Sequence, residues 1–235
     1  AKVCFDFDDD PKACEDANCT APIGVCVYNK ERKRCEPSMF EEKALQFYKQ
    51  IVQRTKYKSV KEKIKVLVEV FEKFPNTQAS KDASTAAWLI AERSEDIDAY
   101  KLLITPAYEI ENRQLYEKAK EREAALDVFE YILGIVKNCA QAQKVSCRCE
   151  FEMAKVTAAP NYVINLTPKK AIIKDKKENK IVKQVDVSLN LFYIRRALSY
   201  EEVTIAGGMT PYLASEENAK KISTFEIDLK LLESG

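Results

Sequence analysis

The sequence predicts an α+β protein in three parts. A disulfide-rich N-terminal head spans residues 1–37, a bundle of four to five helices spans 38–150, and an antiparallel sheet of four to five strands spans 151–235. Three observations carry that prediction. Five of the eight cysteines fall within the first 35 residues, apolar residues recur at helical spacing from Phe40 to Val136, and beyond residue 151 the apolar period becomes alternating.

The head holds Cys4, Cys14, Cys19, Cys26 and Cys35, and the remaining cysteines are Cys139, Cys147 and Cys149. Such density near one end marks an oxidised, disulfide-held module. Both groups are odd in number, so full pairing within the chain requires an odd number of bridges from head to middle. The simplest scheme places two bridges inside the head, one among Cys139, Cys147 and Cys149, and one between the two groups. Spacing does not say which cysteine pairs with which. Cys147-Arg148-Cys149 lacks the Cys-x-x-Cys spacing of a zinc knuckle, and no second pair sits at ribbon distance, so no metal site is expected. Within the head, Val25 to Tyr28 is the candidate strand, set among the turn formers Asn18, Pro22, Gly24 and Asn29.

In the middle segment, Ser38 and Glu41 read as a capping box for a helix carrying Phe40, Ala44, Phe47 and Ile51. Ser59 and Glu62 repeat that signal ahead of Val60, Ile64, Leu67, Phe71 and Phe74, and Pro75-Asn76 ends the helix. A third helix carries Ala83, Ala87, Trp88 and Ala91, with Trp88 read as core. A shorter one carries Ile97, Tyr100 and Ile104. The longest is expected from Glu109 to Lys137, on an apolar stripe through Leu115, Ala119, Leu126, Phe129, Leu133 and Val136. Its middle, Glu117 to Glu123, is charged on most faces and is expected to meet solvent.

The last segment alternates. Val185, Val187, Leu189 and Leu191 predict one strand, and Phe225, Ile227, Leu229 and Leu231 another. Tyr162–Leu166 and Ala171–Ile173 are apolar runs, and Asp175 to Asn179 reads as the turn of a hairpin joining Ile172 to Val185. No intervening helix is long enough for parallel crossovers, so the sheet should be antiparallel.

Composition narrows function by exclusion. The chain has no histidine, which removes Ser–His–Asp and Cys–His nucleophile activation and every His-ligated metal site. Thirty-eight basic and 37 acidic side chains leave a net charge of +1, without the basic excess that a nucleic-acid partner asks for. No apolar run approaches the roughly 18–20 residues needed to cross a bilayer. A first residue other than Met, even cysteine parity and sequons at Asn18 and Asn165 together predict a secreted, extracellular glycoprotein.

Two charged patches are the candidate sites. Asp6, Asp8, Asp9 and Asp10 form an acidic cluster, weighed as a calcium site against a solvated terminus; the EF-hand glycine and distal glutamate are missing. Lys169, Lys170, Lys174, Lys176, Lys177, Lys180 and Lys183 crowd the predicted hairpin. They suit a polyanion, or serve as charges that guard a sheet edge. Opposite charge on head and hairpin also permits head-to-tail self-association. Gly207-Gly208 lacks the pattern of a phosphate loop, and the adjacent pairs Glu201-Glu202 and Glu216-Glu217 point apart as acid/base couples must not. Phe192 and Tyr193 fall on opposite sides of a strand and make no shared platform. No catalytic constellation and no cofactor site emerge. The expected function is non-enzymatic binding of a protein partner. A structural subunit of an extracellular assembly is the alternative, and a carboxylate-dependent enzyme of unrecognised fold the third.

Overall fold

A computed structural model describes residues 4–16, 26–37, 39–142, 153–156, 158–191 and 224–233. The fold is α+β, as the change of apolar period predicts. Two compact units divide the chain: Ala1–Ser94 with Leu102–Glu117, and Glu95–Lys101 with Lys118–Gly235.

The first unit opens on a 3-10 turn, Cys4–Phe7, and a short helix α1, Pro11–Asp16. Strands β1, Cys26–Asn29, and β2, Arg34–Pro37, form an antiparallel hairpin that places Cys26 across from Pro37 and Tyr28 across from Cys35. Disulfides Cys4–Cys26 and Cys14–Cys35 fasten the 3-10 turn and α1 to the two strands. The two bridges expected inside the head are therefore present, and all four of these cysteines are buried.

Helices α2 (Phe40–Arg54), α3 (Val60–Lys73), α4 (Gln78–Ser94) and α6 (Pro106–Glu111) complete this unit. The Ser59 capping box forms in full: the Ser59 hydroxyl accepts from the Glu62 amide, and the Ser59 amide donates to Glu62 Oε2 at 3.0 Å. The box expected at Ser38 falls on a residue outside the described ones. Helix α2 starts from Met39 in the left-handed region, at φ 59°, with no side-chain cap from that residue. Glu41 has partners described below. The core packs Ile64, Val70 and Phe71 of α3 with Ala83, Ala87 and Trp88 of α4. Tyr108 of α6 lies against Phe71 at 5.6 Å and donates its hydroxyl to the Ser84 carbonyl. Burial raises the Tyr108 phenol well above its usual range.

The second unit holds α5 (Ile97–Lys101), most of α7 (Arg113–Ala142), α8 (Met153–Val156) and a four-stranded sheet. The predicted start of the long helix moves from Glu109 to Arg113. Asn112 ends α6 in a non-helical conformation, and its side chain caps the Leu115 amide at 3.1 Å. Strands β3 (Tyr162–Leu166), β4 (Lys170–Asp175), β5 (Lys180–Asp186) and β6 (Phe225–Asp228) run antiparallel in the order β5-β4-β3-β6. The hairpin turn lies at the predicted place. Asp175 Oδ1 accepts from the Lys177 and Glu178 amides, and Asn179 supplies the left-handed residue at φ 54°.

Both alternating strands stop short of their predicted ends. β5 ends at Asp186 because β4 begins only at Lys170; beyond it the Val187 and Leu189 amides bond the carbonyls of Lys169 and Pro168 in a turn. β6 ends at Asp228, whose carboxylate takes the Lys230 amide and starts helix α9, Leu229–Glu233.

Candidate functional site

In the first unit, a ring of charged side chains closes on the turn between α3 and α4. Three backbone groups of that turn are each taken by a residue remote in sequence. Arg34 of β2 donates to the Pro75 carbonyl at 3.3 Å, Glu111 of α6 accepts from the Asn76 amide at 2.8 Å, and Glu41 of α2 accepts from the Gln78 amide at 3.2 Å. Arg32, in the hairpin turn, links the ring by pairing with Glu36 and Glu41. Asn29 donates to Glu36 at 2.8 Å, and the Arg34 guanidinium covers the Phe5 ring at 4.5 Å.

Three buried atoms in this ring have no hydrogen-bond partner among the described residues: Arg34 Nε, Glu111 Oε1 and Glu41 Oε1, the last of them ion-paired with Arg32. Glu36 Oε2 lies 4.0 Å from the first, which is an ion pair without a hydrogen bond. Burial pushes the Glu111 carboxyl above the usual carboxylate range, against the opposing pull of the Asn76 amide, Lys81, Arg34 and Arg32. The ring clasps a turn, and its carboxylates are engaged by guanidinium and amide donors. None stands ready as an acid/base couple.

A second network sits in the other unit. Arg122 of α7 is 2% exposed and points at the end of the β4–β5 hairpin. Its Nη1 donates to Asp175 Oδ2 at 2.8 Å and to the Tyr162 hydroxyl at 3.3 Å, and its Nη2 donates to Glu178 Oε2 at 2.7 Å. Lys118, one turn earlier on α7, takes Glu178 Oε1 at 2.7 Å. Burial lowers the affinity of Arg122 for its proton, but Tyr162, Asp175, Tyr100 and Glu178 outweigh that and hold it charged. The hydrogen bond from Lys118, helped by the Arg122 charge, keeps Glu178 below the usual carboxylate range. Solvent reaches the charged middle of the long helix at Glu117, Lys120 and Glu121, as expected, but Arg122 is buried with the apolar stripe. This network fixes α7 to the hairpin.

The predicted patches are largely absorbed into such structural work. Asp10 caps α1 by accepting from the Lys12 and Ala13 amides, and Asp8 accepts from the Cys35 amide at 2.7 Å. Asp9 is exposed, and Asp6 has an interaction partner of its own. No group of acidic or cysteine side chains among the described residues is arranged to hold a metal ion.

The lysines are not brought together on one surface. Lys176 pairs with Asp228 of β6 at 2.7 Å, while Lys183 reaches Glu130 of α7 at 3.3 Å. Lys170 and Lys174 lie on the opposite sheet face, where Lys170 is aligned with Asp186 of β5. Lys180 and Lys183 lie on β5, an edge strand, and Lys180 is itself partnered. The β5 edge is also covered at one amide, where Gln184 donates to Glu95 at 3.5 Å. Lys169 and Lys177 are exposed in turns.

Asn165 is half-buried on the central strand β3, aligned with Ile172 and Glu226, and Thr167 spends its hydroxyl in the turn to Lys170. Trp88 is buried, as expected. The candidates at Asn18, Cys19, Cys147, Cys149, Phe192, Tyr193, Glu201, Glu202, Gly207, Gly208, Glu216 and Glu217, with the side chain of Cys139, lie outside the described residues.

The surface of the first unit also carries exposed aliphatic side chains. Leu45 and Val52, two turns apart on one side of α2, are 45% and 49% exposed, and Leu89 of the adjoining α4 is 42% exposed. The residue types gave notice of this, since Leu45 and Val52 fall off the stripe of Phe40, Ala44, Phe47 and Ile51. No helix among the described residues is long and apolar enough to cross a membrane. No protein-family model matches this chain, and neither any curated protein nor any solved structure is significantly similar to it.

Proposed function

We propose that this is a secreted, non-enzymatic binding protein that engages a protein partner through its disulfide-anchored first unit. The observation that carries the reading is the exposed apolar side of α2. Leu45 and Val52 stand in solvent on a helix whose opposite side is anchored by Phe40, Ala44 and Ile51. A rigid helix showing large aliphatic side chains suits recognition by a partner's groove or helix. The two disulfides support an oxidising compartment. Among the described residues, Glu41, Glu111, Asp175 and Glu178 are engaged by arginines, a lysine and backbone amides.

Capture from the fluid in which the native protein occurs tests this reading. The wild type should retain a protein saturably, and Leu45→Asp/Val52→Asp should lose it while unfolding at the same temperature. Failure of the wild type to retain any protein saturably would overturn the reading.

A further inference from the structure

The turn between α2 and α3 is the most concentrated exposed charge in the described first unit, and it carries an aromatic at its apex. Between residues 54 and 65 the chain places Arg54, Lys56, Lys58, Lys61, Lys63 and Lys65 against one carboxylate, Glu62. All six cations are exposed except Lys63, which is half-exposed. A hydrogen bond from the Lys58 amide to the Thr55 carbonyl closes the turn and sets Lys56 and Tyr57 at its tip. Tyr57 is 91% exposed, with Lys56 Nζ 5.7 Å above its ring, and Val52 and Val60 flank it at 49% and 36%.

Helix stability does not explain this arrangement. Lys61 and Lys63 sit in the first turn of α3, where the helix dipole disfavours cations. Lys61 and Lys65 are also like charges one turn apart, a spacing that destabilises a helix. Glu62 lies among them, its carboxylate held below the usual range, first by Ser59 and further by Lys58 and Lys65. A surface that works against its own helix points outward for its purpose.

We propose that the α2–α3 turn docks on an anionic membrane surface, with Tyr57 dipping into the headgroup layer and the surrounding lysines meeting lipid anions. The cations supply attraction of about 1 kcal/mol each near such a surface. A tyrosine at the tip supplies the amphipathic ring that settles at a membrane interface. A sulfated polysaccharide would satisfy the lysines equally but gives no role to an almost fully exposed aromatic on a convex turn. The inference goes beyond the protein-partner reading and does not depend on it.

Co-sedimentation of the full chain with vesicles tests it, using phosphatidylcholine alone and phosphatidylcholine mixed with phosphatidylserine. Binding is expected to the mixed vesicles only and should weaken as salt rises. Lys56→Glu/Lys58→Glu should lower the partition coefficient roughly a hundredfold or more. Tyr57→Ser should lower it about fivefold to tenfold. A control on the β4–β5 hairpin, Lys169→Glu/Lys177→Glu, should leave binding within about twofold of wild type. All of these residues are exposed, so the variants are expected to fold. Absence of binding to the mixed vesicles overturns the proposal, whether or not a heparin column retains the protein. So does equal loss in the hairpin control, or full binding by Tyr57→Ser.

Discussion

Arg34 in the first unit and Arg122 in the second are both buried guanidinium groups, 8% and 2% exposed, yet they are partnered differently. Arg122 spreads two nitrogens over two carboxylates and a phenol, all within 3.3 Å. Arg34 has one bond to a backbone carbonyl, one aromatic face and an Nε with no hydrogen bond among the described residues. The units also differ in what else fastens the contact. Beside Arg34, Cys35 is bridged to Cys14. The network at Arg122 is non-covalent as far as it is described. The head thus has a bridge beside its incompletely satisfied ion, whereas Arg122 meets the full partnering that a buried ion asks for.

Breaking the stronger arrangement should produce the largest effect. Arg122→Ala leaves the Asp175 carboxylate buried without its Arg122 donor at Oδ2, removes the bond to the Tyr162 hydroxyl, and leaves Glu178 to Lys118. A loss of about 3–5 kcal/mol is expected in urea unfolding. Arg122→Lys should recover only part of it, because one ammonium does not reproduce a planar fork aimed at several acceptors. Recovery to within about 0.5 kcal/mol of wild type would mean that charge alone, without geometry, holds the hairpin.

Covalent anchoring of the head comes next. Replacing Cys4 and Cys26 together by alanine opens a loop with a sequence separation of 22 residues and should cost about 3 kcal/mol by the chain-entropy estimate. Arg34→Gln in the oxidised protein should cost less, about 1–2 kcal/mol, since it gives up one backbone hydrogen bond and a cation–aromatic contact. The comparison sharpens when the two changes are combined. If the disulfides mask the weakness of the Arg34 contact, its substitution should cost more in the Cys4→Ala/Cys26→Ala background than in the bridged protein.

The two guanidinium groups also mark where the sequence was and was not legible. Helical periodicity located α2, α3, α4 and most of α7, apolar runs and turn residues located the hairpin, and alternation located the start of β6. Those signals are local, and local spacing is what sets which side chains share a face. Arg122 was masked by its charged neighbours, although it lies three residues from Ala119 and four from Leu126, squarely in the buried stripe. Its position was readable; its residue type hid it. The ring around Arg34 offered no such clue. Arg34, Glu41, Asn76 and Glu111 meet only after the hairpin and three helices have packed, and no spacing encodes that meeting. The end of β6 was missed for a third reason: the Asp228 side chain competes for the next amides and converts a strand into a helix start while alternation continues. The cations around Tyr57 were countable in the sequence, but only the folded structure sets them about an exposed aromatic at the tip of a turn.

Protonation should separate the two units by the sign of a small effect. Glu178 in the second unit is held below the ordinary carboxylate range by Lys118 and Arg122. Its stabilisation is therefore fully present above the unfolded-state value and is lost as pH falls through the lowered folded one. Glu111 in the first unit is shifted up by burial, so its contribution is present below the unfolded-state value and is lost as pH rises through the raised folded one. Other carboxylates titrate in the same range, Glu62 among them with a lowered value. Comparing each single variant with wild type at every pH cancels those shared contributions. Urea unfolding from pH 3 to pH 7 should then show the deficit of Glu178→Gln shrinking as the solution becomes more acid. For Glu111→Gln the slope should reverse, the variant gaining on wild type as pH rises above about 4.5. Slopes of the same sign would mean that Lys81, Arg34 and Arg32 overcome the burial of Glu111, and that the clasp in the first unit is an ordinary salt-bridged site like its counterpart.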